Sequence, residues 1–293
     1  MSVKLASRPG RTRPIIMAAV LALAGLLAAA GQAASARAAT VRTEHAAAVT
    51  GTGPAKPAIV LVHGAWADSG SWNAVIGLLQ RAGYTVYAPP NPLEGLAIDT
   101  ATLADFLHSS FITGPIVLVG HSYGGEVITN AATGDSQVKA LVYDDAYLPK
   151  QGEDLVDLTK PGSCFAVQDR STVFNFVHDP VSPSGAVAYV KPAVFPGCFA
   201  NGLPASAGAV LAATQRPLAT STFTDQSGVP AWQTIPSWDV VGTADHIITP
   251  AEQLFMANRA HAHITEINAP HLSMITDPGV VASVIIQAAR ATS

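Results

Sequence analysis

The chain has 293 residues, 49% of them hydrophobic and only 12% charged, with 20 acidic against 16 basic residues and a net charge of -4. That balance argues against a nucleic-acid-binding surface, and the apolar content suits a well-buried core rather than a disordered polymer. Two cysteines with no Cys/His cluster around them exclude a metal-stapled framework.

Lys4, Arg8, Arg11 and Arg13 give a basic start, and Ile15 to Ala30 is an unbroken apolar run. The run is shorter than the ~20 residues a membrane span needs. A-x-A sites follow at Ala34-Ser35-Ala36 and Ala36-Arg37-Ala38. The pattern predicts a secretory signal peptide over residues 1–38, against the rival of an uncleaved anchor. No adjacent arginine pair supports a twin-arginine route. The mature chain is therefore expected to be secreted, with no stable membrane anchor after cleavage. A flexible Ala/Thr/Gly-rich lead-in is expected over 39–56. About 250 residues remain, enough for one large α/β domain carrying an insertion.

Strands and helices then alternate. Strands are expected at Ala58–Val62, Tyr84–Ala88, Pro115–Val119 and Val138–Tyr143, with helices at Ser71–Arg81, Asp99–Ser109 and Glu126–Thr133. Buried strands written as continuous apolar runs between helices imply a parallel sheet covered on both faces. From about Pro149 to Pro236 the chain is rich in Pro, Gly, Ser and Phe and shows no clean period. Alternation resumes with a strand at Ser237–Val241, a helix at Ala251–Ala260, a strand at His263–Ile267 and a helix at Pro278–Ala289. The fold class is α/β with about six parallel strands and helices on both faces. Residues 57–148 and 236–293 form the core, and 149–235 form an inserted cap.

Cys164 and Cys198 both fall in that insertion. In an exported chain two cysteines usually pair, so a Cys164–Cys198 disulfide is expected, with two separate buried thiols as the alternative. Such a tie would hold the roof of a pocket without stiffening the loops below it.

The chemistry centres on Ile116-Val-Leu-Val-Gly-His-Ser-Tyr-Gly-Gly125. An apolar strand runs into Gly120-His121-Ser122-Tyr123-Gly124, a G-x-S-x-G elbow followed by helix-compatible sequence. A free serine hydroxyl is a poor nucleophile and needs a base, with a carboxylate to orient that base. In a chain of this order the acid follows the serine and the histidine comes last. Asp245 lies in the loop after one late strand and His271 in the loop after the final strand. Asp144 and Asp145, just past the strand that follows the elbow, are the alternative acids, and His246 is the alternative base. His261 and His263 flank a strand start, and His45, His108 and His178 have no motif around them. An oxyanion hole needs two backbone N–H groups, expected from Tyr123 and from Ala65 in His63-Gly64-Ala65-Trp66. His63 and Gly64 read as residues that shape this loop.

Those motifs, with Trp72, Ala146-Tyr147-Leu148-Pro149, Gly242-x-x-Asp245 and Pro270-His271, resemble the α/β-hydrolase superfamily. The chain is most similar to the small-cap branch of methylesterases and hydroxynitrile lyases and to exported actinobacterial hydrolases. The resemblance covers about residues 57–290 and is thin across the insertion. It implies Ser122 as nucleophile, His271 as base, Asp245 as acid and the amides of Ala65 and Tyr123 as oxyanion donors. Hydroxynitrile lyases of this branch carry a lysine after the histidine, where this chain has Leu272. The elbow holds serine rather than the aspartate of epoxide hydrolases and dehalogenases. The implied activity is hydrolysis of a small-molecule carboxylic ester or lactone, with no metal and no organic cofactor. A lyase or haloperoxidase-like enzyme, or a non-catalytic binding protein, are the alternatives on the same scaffold. Phe165, Phe174, Phe176, Phe195, Phe199 and Trp232 in the insertion are candidates for an apolar pocket suited to a modest uncharged substrate.

Overall fold

Five-residue apolar runs with no polar face have one stable home, the middle of a sheet covered on both sides. Ala58–Val62 (β1) is such a run, Ile116–His121 (β3) opens on four more apolar residues, and every residue of both is buried. They pair in parallel, Ala58 beside Ile116 through Val62 beside Gly120. The computed structural model describes residues 56–110 and 112–292. The signal peptide expected at 1–38, and the lead-in up to residue 55, lie outside the described residues.

The main sheet has six strands, all parallel, in the order β2-β1-β3-β4-β8-β9. Here β2 is Val86–Tyr87, β4 Val138–Asp144, β8 Ser237–Gly242 and β9 His263–Ile267. The expected strand at Tyr84–Ala88 shrinks to two residues because Pro89 and Pro90 follow it and cannot donate to a ladder. Helices cover the sheet at Asn73–Arg81 (α1), Leu96–Leu107 (α2), Tyr123–Ala131 (α3), Pro250–Arg259 (α6) and Pro278–Ala291 (α8), the last preceded by a one-turn helix, Ser273–Thr276 (α7). The expected start of α1 at Ser71 is instead a 3₁₀ turn, Ser69–Trp72, capped by the Asp68 carboxylate on the Gly70 amide. The chain steps from β1 outward to β2 and then back across to β3. Strand order therefore reverses between β1 and β3, and the crevice at their carboxyl ends is where open α/β sheets bind ligands.

The segment between β4 and β8 is not structureless. It holds a one-turn helix Leu155–Leu158 (α4), a three-stranded antiparallel sheet and a helix Ala205–Thr214 (α5). The small sheet runs β5 (Phe174–His178), β6 (Ala186–Val190) and β7 (Leu218–Ala219). Four of the five residues of β5 are exposed, which explains why no apolar period announced it.

Trp66, at the left-handed φ of 55°, joins this segment to the core. Its indole N–H donates to the Ala188 carbonyl at 2.9 Å, and its ring stacks on Phe174 at 5.2 Å. Cys164 and Cys198 are joined by a disulfide. The tie is not confined to the roof. The Cys164 amide donates to the His246 carbonyl at 2.9 Å, and Asn201, three residues past Cys198, donates its side-chain amide to the Ala244 carbonyl at 2.8 Å. Both ends of the crosslink therefore brace the loop that carries Asp245. Among the described residues, no helix is long and apolar enough to cross a membrane.

The crosslink closes a loop of 34 residues in sequence. Its removal in a Cys164→Ser, Cys198→Ser double variant is expected to cost roughly 3–4 kcal/mol in the chain-entropy picture. The readout is a lower Tm by circular dichroism, with the same loss when the parent protein is melted under reductant. An unchanged Tm contradicts the bracing role.

Candidate active site

Ser122 sits between β3 and α3 at φ 52° and ψ -125°, a backbone state that costs a serine about 1–3 kcal/mol. The neighbouring glycines make it possible. A Cβ on Gly120 would lie 2.5 Å from the Gly124 carbonyl oxygen, and one on Gly124 would lie 2.6 Å from that of Val62. The strained residue is pinned on both sides. Its N–H donates to the Asp144 carbonyl at 3.3 Å, and its own carbonyl accepts from Gly125 at 2.9 Å and Tyr147 at 3.2 Å.

The loop after β9 brings His271 to this hydroxyl. Its Nε2 lies 3.0 Å from Ser122 Oγ, and its Nδ1 lies 2.8 Å from Asp245 Oδ2. A carboxylate only accepts, so Nδ1 carries the proton and Nε2 presents its lone pair to the serine O–H. The His271 and Asp245 side chains are completely buried. Asp245 is filled with donors. Its Oδ1 accepts from the amides of Ile247 (2.6 Å) and Ile248 (3.2 Å), and its Oδ2 accepts from Gln253 Nε2 at 2.7 Å as well as from the imidazole. A hydroxyl so placed can lose its proton to the imidazole as it attacks, and the imidazolium so formed faces a fixed carboxylate.

Two residues of this network had no signal of their own in the sequence. Gln253 lies in α6, whose start is set by Thr249 accepting from the Glu252 amide and by Pro250 in the first turn. That cap is legible, but which side chain turns back toward Asp245 is a tertiary matter. His121 donates from Nε2 to the His271 carbonyl at 2.9 Å and packs its ring 4.7 Å from the His271 ring. Burial, and then a charge on His271, pushes the His121 pKa well below the usual histidine range. His121 is thus a neutral strut under the base.

The alternative acids point elsewhere. Asp144 accepts from Ser273 Oγ at 2.6 Å, and Asp145 accepts from the Gly242 amide at 2.7 Å. Neither bonds to His271 among the described residues. Burial, opposed by the Ser273 hydrogen bond, raises Asp144 to about 7. Burial and then the charge of Asp144 raise Asp145 well above the usual carboxylate range. Of the other histidines, His246, His261 and His263 are exposed and outside this line. His108 and His178 bond the carbonyls of Ala104 and Gly185, and His45 lies outside the described residues.

The loop after β1 approaches the serine just as closely. A Cβ on Gly64 would lie 2.7 Å from Ser122 Cβ, so only glycine fits. His63 shapes the loop: its Nε2 accepts from the Asn91 amide at 3.0 Å, leaving Nδ1 to donate to the Gly64 carbonyl at 2.9 Å. Burial drives its pKa down to about 4, so it stays neutral. Tyr123 opens α3, where an amide has no acceptor within the helix. Its phenol donates to Asp99 at 2.7 Å. Ala65, Ser122 and Tyr123 all border one cavity of about 330 Å³.

Of the aromatic candidates, Phe165 and Phe174 line this cavity, joined by Trp66 and Phe223. Phe195 and Phe199 instead border a smaller neighbouring cavity of about 110 Å³ beyond Trp66. Phe176 is 47% exposed, and Trp232 is turned to the Pro149 carbonyl at 2.9 Å. Those four do not line the cavity at Ser122.

Residues 59–284 match the profile of the alpha/beta hydrolase family, a span that contains Ser122, Asp245 and His271. Over 112 residues the chain is 35% identical to a carbendazim-hydrolysing esterase of Nocardioides, covering 34% of this chain and 46% of that protein. The chain thus matches about half the length of that relative. In structure it is similar to an extracellular alpha/beta-hydrolase from Paenibacillus (TM-score 0.65, 20% identity, 79% of this chain and 98% of the other). That protein is described as sharing structural and functional homology with tobacco salicylic acid binding protein 2. It is also similar to a pyrethroid hydrolase from Sphingobium faniae (TM-score 0.63, 22% identity, 80% and 98%). At these identities the structural likeness speaks for the fold.

Asp239, in the middle of β8, is fully buried, and neither carboxyl oxygen has a hydrogen-bonding partner among the described residues. Burial, and then the charge of Asp144, raises its pKa well above the usual range. The folded state therefore holds this proton more tightly than the unfolded state does. The resulting stability is full below the unfolded pKa, near 4, and is lost as pH rises toward the folded pKa. Asp239→Asn removes that loss. The variant's Tm relative to the parent is expected to climb between pH 4 and pH 9, and a difference independent of pH contradicts the buried proton.

Proposed function

The chain belongs to the alpha/beta hydrolase family, and from that premise we propose that it is an exported serine hydrolase cleaving a carboxylic ester or lactone through an acyl-enzyme on Ser122. The observation that carries this reading is the unbroken line Asp245–His271–Ser122, at 2.8 and 3.0 Å, opening on a cavity walled mainly by apolar side chains.

In this mechanism Ser122 Oγ attacks the substrate carbonyl carbon while its proton passes to His271 Nε2. Asp245 keeps the Nδ1 proton in place and faces the imidazolium. The carbonyl oxygen takes up negative charge and accepts from the amides of Ala65 and Tyr123, each donor being worth about 3 kcal/mol in the transition state. Collapse breaks the bond to the alcohol oxygen, which takes the proton from His271 and leaves; in a lactone it stays tethered to the acyl group. Water then gives a proton to His271 and attacks the acyl carbon. The carboxylic acid departs, and the proton returns to Ser122. No step calls on a metal or an organic cofactor.

The names of two similar proteins, a carbendazim-hydrolysing esterase and a pyrethroid hydrolase, fit such chemistry. Leu272, the residue after the base, is 1% exposed and supplies no cation to steady a cyanide leaving group. That weighs against the lyase alternative. A binding protein has no need of a filled carboxylate behind an imidazole. Residues 149–235 act as the cap over the site. Export agrees with the N-terminal pattern of the sequence and with a disulfide between the only two cysteines.

Ser122→Ala is expected to abolish hydrolysis of p-nitrophenyl esters while leaving the circular dichroism spectrum and Tm intact. Retention of more than a few per cent of kcat contradicts the assignment. His271→Ala should be equally damaging, because base and nucleophile act as a unit.

The acids separate in a second set of variants. Asp245→Asn is expected to lower kcat by about 10⁴-fold by disturbing the histidine tautomer. Asp144→Asn and Asp145→Asn should each cost far less in kcat. A larger loss from either of those two moves the acid to the end of β4.

A further inference from the structure

Charged groups are scarce around the cavity at Ser122. Arg170 is the one charged side chain among its lining residues, and no acidic side chain lines it. It sits in a single 3₁₀ turn, Arg170–Thr172, immediately before β5.

Its state is unlike that of the other partly buried arginines. Arg259 is clamped by Glu153 at 2.7 and 2.8 Å and donates to the Leu148 carbonyl. Arg216 donates to the Asn91 and Pro92 carbonyls. Among the described residues, the Arg170 guanidinium makes no side-chain hydrogen bond and no ion pair. It lies over the face of Phe223, with the guanidinium carbon 4.8 Å from the ring centroid. Phe223 lines the same cavity, so the cation lies against the cavity wall. Adjacent Asp169 does not claim it. The Asp169 carboxylate accepts from the Ser171 amide at 2.9 Å, and hydrogen bonding from Ser171, with a smaller part from the charge of Lys191, holds its pKa low.

A partly buried cation with an unspent fork of donors is well suited to an anionic acceptor, with which its hydrogen bonds are charge-assisted. Stacking on an aromatic face holds the guanidinium flat and leaves its N–H edge free for a planar acceptor. The other hydroxyls of the wall are already engaged. Thr159 donates to the Leu155 carbonyl at 2.7 Å, and Tyr147 lies 3.4 Å from the Thr159 hydroxyl. The wall thus offers apolar surface for the body of a ligand and one fixed cation for one end of it.

We propose that Arg170 determines specificity by binding a carboxylate on the substrate. The site then takes esters whose acyl or alcohol part is apolar in the middle and anionic at its far end, in preference to neutral esters of the same size. This rests on the hydrolase reading above and narrows it. The uncharged substrate suggested by the aromatic residues of the insertion accounts for the bulk of the ligand but not for its end.

A matched pair tests it: mono-p-nitrophenyl adipate, with a free carboxylate, and p-nitrophenyl hexanoate, without one. The quantity read is the ratio of their kcat/KM values, adipate over hexanoate, after subtraction of spontaneous hydrolysis. The parent ratio is expected above one and to fall with added salt. Arg170→Gln should lower it roughly tenfold or more, the worth of one charge-assisted contact. Arg170→Lys should recover part, and Lys191→Gln should leave the ratio where it was. A parent ratio below one, or a ratio unmoved by Arg170→Gln, overturns the assignment. A fall of equal size in Lys191→Gln also overturns it, since it would reflect general charge rather than Arg170.

Binding of the same two esters to the Ser122→Ala protein by calorimetry, with and without Arg170→Gln, separates the two claims. Arg170-dependent binding of the adipate ester by a chain that hydrolyses neither ester keeps the carboxylate site and removes the hydrolase reading. Hydrolysis of the hexanoate ester with an unmoved ratio does the reverse. Absence of both hydrolysis and adipate binding removes the carboxylate site.

Discussion

A serine held at φ 52° and ψ -125° between a strand and a helix is the constraint around which this molecule is built. The state is unfavourable in isolation and persists because its surroundings leave no room for relaxation. β3 and α3 cross so closely that Gly120 cannot carry a Cβ, α3 starts so close to the end of β1 that Gly124 cannot either, and the loop after β1 reaches the serine only because residue 64 is glycine. The parallel sheet does the rest. Its strands all run the same way, so the loops after β1 and β3 open at one edge, and the loops after β8 and β9 deliver Asp245 and His271 to that edge. Site geometry thus combines a local constraint, the glycines around Ser122, with a topological one, the parallel strands that bring the acid and the base to it.

Burial alone does not distinguish the carboxyl groups behind the histidine, since Asp144, Asp145, Asp239 and Asp245 are all buried. Their partners do. Donors from Ile247, Ile248, Gln253 and His271 converge on Asp245. Asp144 has Ser273, Asp145 has the Gly242 amide, and Asp239 has no partner among the described residues. Desolvation pushes those three toward their protonated forms. Neutral neighbours spare the sheet edge the repulsion of several carboxylates side by side. A similar economy holds for the histidines, where burial keeps His121 uncharged beside His271 and His63 uncharged in the loop after β1.

The parallel core was legible because its strands are unbroken apolar runs and its helices have regular spacing. The elbow was legible because only Gly-x-Ser-x-Gly tolerates that turn. Two acids remained open beside Asp245 because sequence places all of them past strand ends without saying which side chain faces the imidazole. Gln253, His121 and the Asp99–Tyr123 bond were invisible: Gln253 reaches Asp245 only eight residues back but through the turn into α6, and the other two join elements more distant in the chain. The small antiparallel sheet was missed because β5 is mostly exposed and interrupts no apolar pattern. Aromatic content overstated the pocket: Phe195, Phe199, Phe176 and Trp232 lie elsewhere, while Trp66 and Phe223 line it from outside the expected set. The count of two cysteines in a chain expected to be exported identified a pair but not its reach, which extends to the loop of Asp245 through His246 and Asn201.

The central claim is that Ser122 carries the activated hydroxyl. Peptide mapping by mass spectrometry after treatment with a fluorophosphonate tests it most directly, because covalent capture needs an activated serine and no knowledge of the substrate. The account predicts one phosphonyl adduct per chain, on Ser122, formed in the parent protein and suppressed in His271→Ala. No adduct under conditions that label other serine hydrolases, or an adduct on another residue, would contradict it.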